Sequence, residues 1–288
     1  MDWLLDPFQS PFSQRGAVAA LLVGVLSPVV GTWVSLRRLS YMGDAMSHSV
    51  LGGVGLGYLW FGSVAVLPGA LAAGVVMALA IHWLSQNRRV GHDSVIAVVG
   101  SGMFALGVLV ISSVGSTVSL SHYLFGQLLT VSRGDLWITF VLAVAGVTFV
   151  WWRFDDLKLS TFDRDHSTQI GIAVQRLDAS MLVLLAVSVV VSLNTVGVAL
   201  TVALLITPAA TSRLFFDKVL TITSGAVVIG MASIVCGFII SYHADLPPGP
   251  TITIVATVVF VVAYVSRIGR DEGTYVRHRH RHHDDHAH

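Results

Sequence analysis

Charge is what this sequence has least of. Asp, Glu, Lys and Arg make up 11% of its 288 residues, against about 25% in soluble domains. With 54% hydrophobic residues and a mean hydropathy of +0.77, the shortage excludes an ordinary soluble domain and makes the bilayer the solvent. Cysteine is nearly absent too. Cys236 stands alone in an apolar run, which excludes a disulfide or a cysteine metal cluster and predicts a small buried hydrophobe. No Walker-type phosphate loop occurs, so the sequence carries no nucleotide-hydrolysing motif of that kind. A formal net charge of +1 with no nucleic-acid motif gives no reason to expect a nucleic-acid partner. The N-terminal stretch Met1-Asp2-Trp3-Leu4-Leu5-Asp6-Pro7 is acidic where a secretory signal is basic, and its apolar part is short. It reads as an uncleaved interfacial segment over 1–15, with Trp3 and Phe8 at headgroup level.

What the chain does have is long apolar runs. They fall at about 16–36, 42–60, 63–84, 93–113, 135–152, 178–194, 195–213, 219–242 and 250–266, close to the ~20 residues that a spanning helix needs. The expected fold is therefore an all-α polytopic membrane protein of about nine transmembrane helices, with eight or ten as alternatives. The sixth and seventh runs are almost continuous, and Asn194 is the expected turn between them. The spans form one transmembrane domain over 16–266. Placing Arg37 and Arg38 in the cytoplasm and alternating the loops leaves only Arg15 and Arg133 of the 17 Lys and Arg outside. That bias puts the N-terminus outside and the C-terminus in the cytoplasm.

The start of the second run carries the densest chemistry: Arg37-Arg38-Leu39-Ser40-Tyr41-Met42-Gly43-Asp44, then His48. Asp44 and His48 are four residues apart, so a helix puts both on one face, about 5–6 Å apart at Cβ. A carboxylate oxygen and an imidazole nitrogen at that separation can grip a divalent ion of the manganese, iron or zinc type. A carboxylate inside a span is costly unless paired or facing water, which marks a pathway. The spacing alone equally fits Asp44 as an N-cap and His48 as a satisfied interior histidine.

Other segments add weaker signals. Gly52, Gly53, Gly55 and Gly57 read as a helix-packing face. The stretch from Ser116 to Leu129 is too polar and short to span, and predicts a short or re-entrant outer helix. Its His122 is either an outer-mouth ligand or a hydrogen-bonded interfacial residue. A cytoplasmic loop over about 153–178 contains Phe162-Asp163-Arg164 and Ile170-Gly171-Ile172. Its mixed charge and interleaved apolar residues suggest a short amphipathic helix that docks on a partner, or a solvated connector. Pro208 should kink the seventh span and free carbonyls near its inner end; such a kink either lines a path or merely packs. His243 and Asp245 precede a stiff Pro247-Pro248-Gly249-Pro250 turn and are further candidate outer-mouth ligands. The tail over 267–288 holds six of the twelve histidines and reads as a disordered, cytoplasmic metal-binding segment. Truncating it should lower metal tolerance if it buffers metal, and change nothing if it does not.

Taken together, Arg37 to Asp44 with His48, Tyr123-Leu124-Phe125-Gly126, Leu205-Ile206-Thr207-Pro208-Ala209-Ala210-Thr211 and Asp245-Leu246-Pro247-Pro248-Gly249-Pro250 give the chain a family likeness. It resembles the permease subunits of ATP-binding-cassette importers for manganese, zinc or iron, from about residue 10 to 266. The resemblance implies a homodimer in the plasma (inner) membrane of a prokaryote. It also implies a cytoplasmic ATPase partner, since the permease is not itself an enzyme, and an extracytoplasmic metal-binding protein that delivers the ion. It implies that Asp44 and His48 coordinate the transported Mn²⁺, Zn²⁺ or Fe²⁺, with no catalytic cofactor. The loop carrying Phe162, Asp163 and Gly171 would hold the coupling helix that seats in the ATPase. Two alternatives remain at this stage: a gradient-driven secondary metal transporter, and a permease for a metal chelate or siderophore.

Overall fold

Long unbroken apolar runs satisfy their backbone internally as helices, the one solution open to a single segment in lipid. The computed structural model describes residues 11–86, 90–113 and 131–284, and all of its regular elements there are helical. They are α1 (Pro11–Leu36), α2 (Ser40–Phe61), a 3₁₀ turn (Gly62–Ala65), α3 (Val66–Leu84), α4 (His92–Ser113), α5 (Arg133–Trp152), α6 (Phe154–Phe162), α7 (Arg164–Gln169), α8 (Val174–Val196), α9 (Val198–Arg213), α10 (Val219–His243) and α11 (Pro248–Asp284).

Each of the nine expected runs is a helix. Seven are long and apolar enough to cross a membrane, and the sixteen-residue α9 is a shorter apolar helix. The remaining one, α2, is where Asp44, His48 and the glycines dilute the apolar character. The chain is a multi-pass membrane protein.

The centre of the bundle is α1 and α8. Some 78% and 72% of their apolar stretches are buried, against 22% each for α4, α5 and α11. Small and hydroxyl-bearing residues make this possible. Ser27 and Ser192 face each other with their Oγ atoms 3.0 Å apart in a fully buried contact. At Gly31 an added Cβ would run into the carbonyl of Leu205, so α1 and α9 touch backbone to backbone. Of the glycines of α2, Gly53 and Gly57 lie against Gly69 of α3 across the turn at Gly62, while Gly52 faces Gly107 of α4.

Two prolines converge near the middle. A methyl on Gly230 of α10 would lie 2.9 Å from the Pro28 ring, 3.2 Å from the Gly24 carbonyl oxygen and 3.6 Å from the Pro208 ring. Pro28 lacks the N–H that would have paired with that Gly24 carbonyl, and Gly230 covers it.

Four expectations change. The break between the sixth and seventh runs is at Gly197 (φ +84°), not Asn194, which stays inside α8; a left-handed backbone favours glycine over asparagine. Cys236 is exposed on the outer face of α10 rather than buried, because a helix in lipid is apolar all round and not only toward its core. The loop at 153–178 folds as two short helices, α6 and α7, instead of one. The last helix keeps a helical backbone to Asp284, where the composition suggested a disordered tail. The first helix begins at Pro11; residues 1–10 of the expected interfacial segment lie outside the described residues.

Candidate metal-ion site

The site is built on the turn between α1 and α2. Leu39 N donates to Val34 O (2.9 Å) and Arg38 N to Ser35 O (3.3 Å). This Schellman-type pair closes a helix through a left-handed residue, here Arg38 at φ 59° rather than a glycine. α2 starts immediately afterwards. Its N-cap is Leu39, with no side-chain cap bond, so Asp44 sits in the second turn of the helix and is not a cap. That removes the simplest structural explanation for its charge.

Asp44 Oδ1 and His48 Nε2 lie 3.7 Å apart, and each side chain is 46% exposed. With metal–ligand bonds of about 2.0–2.2 Å, two donors on one ion at octahedral to tetrahedral angles stand about 3.0–3.5 Å apart. The observed gap is within a few tenths of an ångström of that range and too long for a hydrogen bond. The flanking residues hold the two donors outward. Met42, Met46, Ser47 and Ser49 are buried. Ser49 Oγ donates within 2.6 Å of Ala45 O and 3.0 Å of Gly100 O, which ties α2 to α4. Phe104 of α4 meets the His48 ring edge-on at 6.1 Å between centroids.

Depth follows from Gly43, whose α-carbon faces the Leu205 side chain. Leu205 is eight residues from the end of α9, so the pair lies about 12 Å inside that end of the bundle. Arg213 Nη1 reaches Ser35 Oγ at 3.2 Å, which puts the α9–α10 turn at the same end as the α1–α2 turn.

The other predicted residues are not brought to this pair. His243 and Asp245 are at the far end of α10, about 30 Å along it from Ile222, which Ser212 of α9 contacts through its backbone carbonyl at 2.8 Å. His243 Nδ1 is 2.9 Å from Ile239 O, and Asp245 occupies a left-handed position (φ 52°) in a turn braced by Ser241 Oγ to Leu246 O at 2.6 Å. His122 lies outside the described residues. Among the described residues, no three of His, Cys, Asp and Glu gather into a metal-sized group. Pro208 is buried beside Gly230 of α10, the same glycine that packs near Pro28.

In the connector, Asp163 caps α7 by accepting from His166 N at 2.9 Å. Phe162 is exposed, and Gly171 makes the turn into α8 at φ +87°. Sequence reasoning missed Arg37. Counted as a basic residue at a span's end and as part of the family-like stretch, it is largely buried and bonded to Ser160, Thr161 and Asp178. Its two-residue neighbourhood holds no signal for this; the partners are more than a hundred residues away.

Residues 9–267 match a family described as the ABC 3 transport family. The manganese transport system membrane protein MntC of Halalkalibacterium halodurans is 38% identical over 254 residues, covering 88% of this chain and 86% of the relative. The chelated iron transport system membrane protein YfeD of Yersinia pestis is also 38% identical, over 263 residues, covering 90% and 87%. Among solved structures, PsaBC from Streptococcus pneumoniae in complex with Fab superposes with a TM-score of 0.81 at 30% identity, covering 91% of this chain and 94% of that one.

Proposed function

Because the chain belongs to the ABC 3 transport family, we propose that it is the membrane permease of an ATP-driven importer for a divalent transition-metal ion, with Asp44 and His48 as ligands in the path. The observation that carries the ligand assignment is the pair itself. Two outward-held donors stand 3.7 Å apart and 46% exposed, with no capping role, in a helix whose flanking residues are buried. The names of the relatives, manganese and chelated iron, support a metal cargo.

The carboxylate and the neutral imidazole replace part of the ion's hydration shell, and the oxygen makes the set acceptable to Mn²⁺ and Fe²⁺ as well as Zn²⁺. Two donors leave an ion under-coordinated. Water, or the same pair from a second copy across a two-fold axis, completes the shell. The half-exposed face of α2 is suited to either.

The chain has no ATPase motif of its own, so a separate cytoplasmic subunit supplies the energy and acts on the α6–α7 connector. An extracytoplasmic binding protein delivers the ion to the far end of the bundle. The basic-residue bias puts the Arg37 end in the cytoplasm, in the plasma membrane of a prokaryote.

The test is metal uptake in cells carrying the whole importer, with Asp44→Ala and His48→Ala at matched membrane levels. Loss of uptake of Mn²⁺, Fe²⁺ or Zn²⁺ in both variants is expected. Uptake that survives both variants sinks the ligand assignment, and uptake without the ATPase subunit sinks the ATP-driven reading.

A further inference from the structure

The turn that carries the metal pair is fastened to the α6–α7 connector through one guanidinium. Arg37 Nη1 donates to Asp178 Oδ1 (2.7 Å), Nη2 to Ser160 Oγ (2.8 Å) and Nε to Thr161 Oγ1 (3.1 Å). The two hydroxyls donate onward to Leu157 O, at 3.1 and 2.6 Å, which turns their lone pairs toward Arg37. The second oxygen of Asp178 accepts from Arg164 Nη2 at 2.6 Å. The Arg37 and Asp178 side chains are 11% and 18% exposed, Arg164 62%. Burial pushes the Arg37 guanidinium below its ordinary pKa, and Asp178 beside it pulls the other way.

An apolar half backs the polar one. Phe154 meets Trp33 edge-on at 5.5 Å, and Leu157 is fully buried in the same cluster. The connector is thus held to the end of α1 on one side, while Phe162 and Ile170 stay exposed on its surface. Arg37 is also the residue before the left-handed turn at Arg38, seven residues before Asp44. The network therefore joins the end of α1 to the connector and the start of α8, more than a hundred residues away in the chain.

We propose that Arg37 and Asp178 are positioning residues of the transport cycle, passing movement of the α6–α7 connector to the α1–α2 turn and so to Asp44. This rests on the reading that an ATPase acts on the connector. A buried charge left without its partner is strongly destabilising, so the connector and the end of α1 move together or the network breaks.

The experiment uses the complete importer in proteoliposomes, with ATP hydrolysis and Mn²⁺ uptake measured in the same vesicles. Asp178→Asn keeps the shape and removes the charge. The expected result is a fall of about tenfold or more in ions moved per ATP, with equilibrium Mn²⁺ binding held within about twofold, since only the linkage and not the ligands is changed. Arg37→Lys keeps the charge but loses the three-way fork, and gives an intermediate loss. Arg164→Gln, at the exposed leg, gives the smallest.

If Asp178→Asn does not assemble, the other two variants decide. A second readout needs no metal. Hydrogen exchange over residues 38–48 should respond to nucleotide in the unaltered importer and lose that response in the variants. An unchanged ratio of ions to ATP, together with an unchanged exchange response, overturns the proposal. An unaltered importer that moves no metal, yet shows a nucleotide-dependent exchange response that the variants lose, overturns the function proposed above and leaves the linkage standing.

Discussion

The first and fourth helices have nearly the same hydropathy, yet 78% of the apolar stretch of α1 is buried in the protein and only 22% of that of α4. In water, apolar surface alone would drive both inward. In lipid it does not, because the acyl chains are as apolar as a leucine side chain. What sends α1 to the centre is its small and hydroxyl-bearing face, with Ala20, Gly24, Ser27, Gly31 and Thr32, which lets other backbones come close. Over its apolar stretch α4 presents Val98, Leu106, Val108 and Leu109 to the outside. Between these extremes lies α2, packed on one side by glycine and open on the side that bears Asp44 and His48.

If that contrast is right, Gly31→Val should be the most damaging single change. It forces a branched side chain into the Leu205 carbonyl, at a cost of about 3 kcal/mol or more, seen as loss of monodisperse protein in detergent. On the open face the balance reverses. Asp44→Ala or His48→Ala should lower uptake by about 100-fold, equivalent to about 2.7 kcal/mol, while thermal unfolding of the purified protein shifts by no more than about 0.5 kcal/mol. A large unfolding shift there would mean that the pair is structural, and the contrast would fail.

Ser27→Ala tests the polar seam more gently. It strands the Ser192 hydroxyl and should cost about 1 kcal/mol, measured by denaturation in mixed micelles. The smallest effect is expected from Gly102→Ala. That site has open space around it, and the helix should gain at most about 1 kcal/mol. Destabilisation there would show that α4 is covered by protein and not by lipid.

The helices themselves were legible in the sequence, because spanning requires length and hydropathy and little else. The juxtaposition of Asp44 and His48 was legible too, since four-residue spacing on a helix is a local fact; their role as ligands is the proposal that the uptake test decides. The break at Gly197 was missed by three residues, because periodicity does not mark a left-handed backbone. Cys236 was misplaced because lipid-facing and core-facing residues have the same chemistry. Arg37 was read as a topogenic charge and as part of the family-like stretch, with no bonding role of its own. Its three partners are Ser160, Thr161 and Asp178, and nothing local to Arg37 announces them. His243 and Asp245 drew attention as candidate ligands, yet the fold separates them from Asp44 by most of the bundle's length.

The meeting of Pro28, Pro208 and Gly230 has a consequence for how the chain is made. Pro28 leaves the Gly24 carbonyl without its helical donor, and the residue that covers it belongs to α10, some two hundred positions later in synthesis. A newly inserted α1 therefore has that carbonyl open to its surroundings until α10 packs over it and shields it. A carbonyl in hydrocarbon without a partner is costly, so early α1 is driven to borrow water or a lipid headgroup in the interval. Chains interrupted before α10 are therefore expected to leave this part of α1 less tightly packed, however well their earlier helices have inserted. Pro28 thus makes the packing of the first helix depend on a helix made some two hundred residues later.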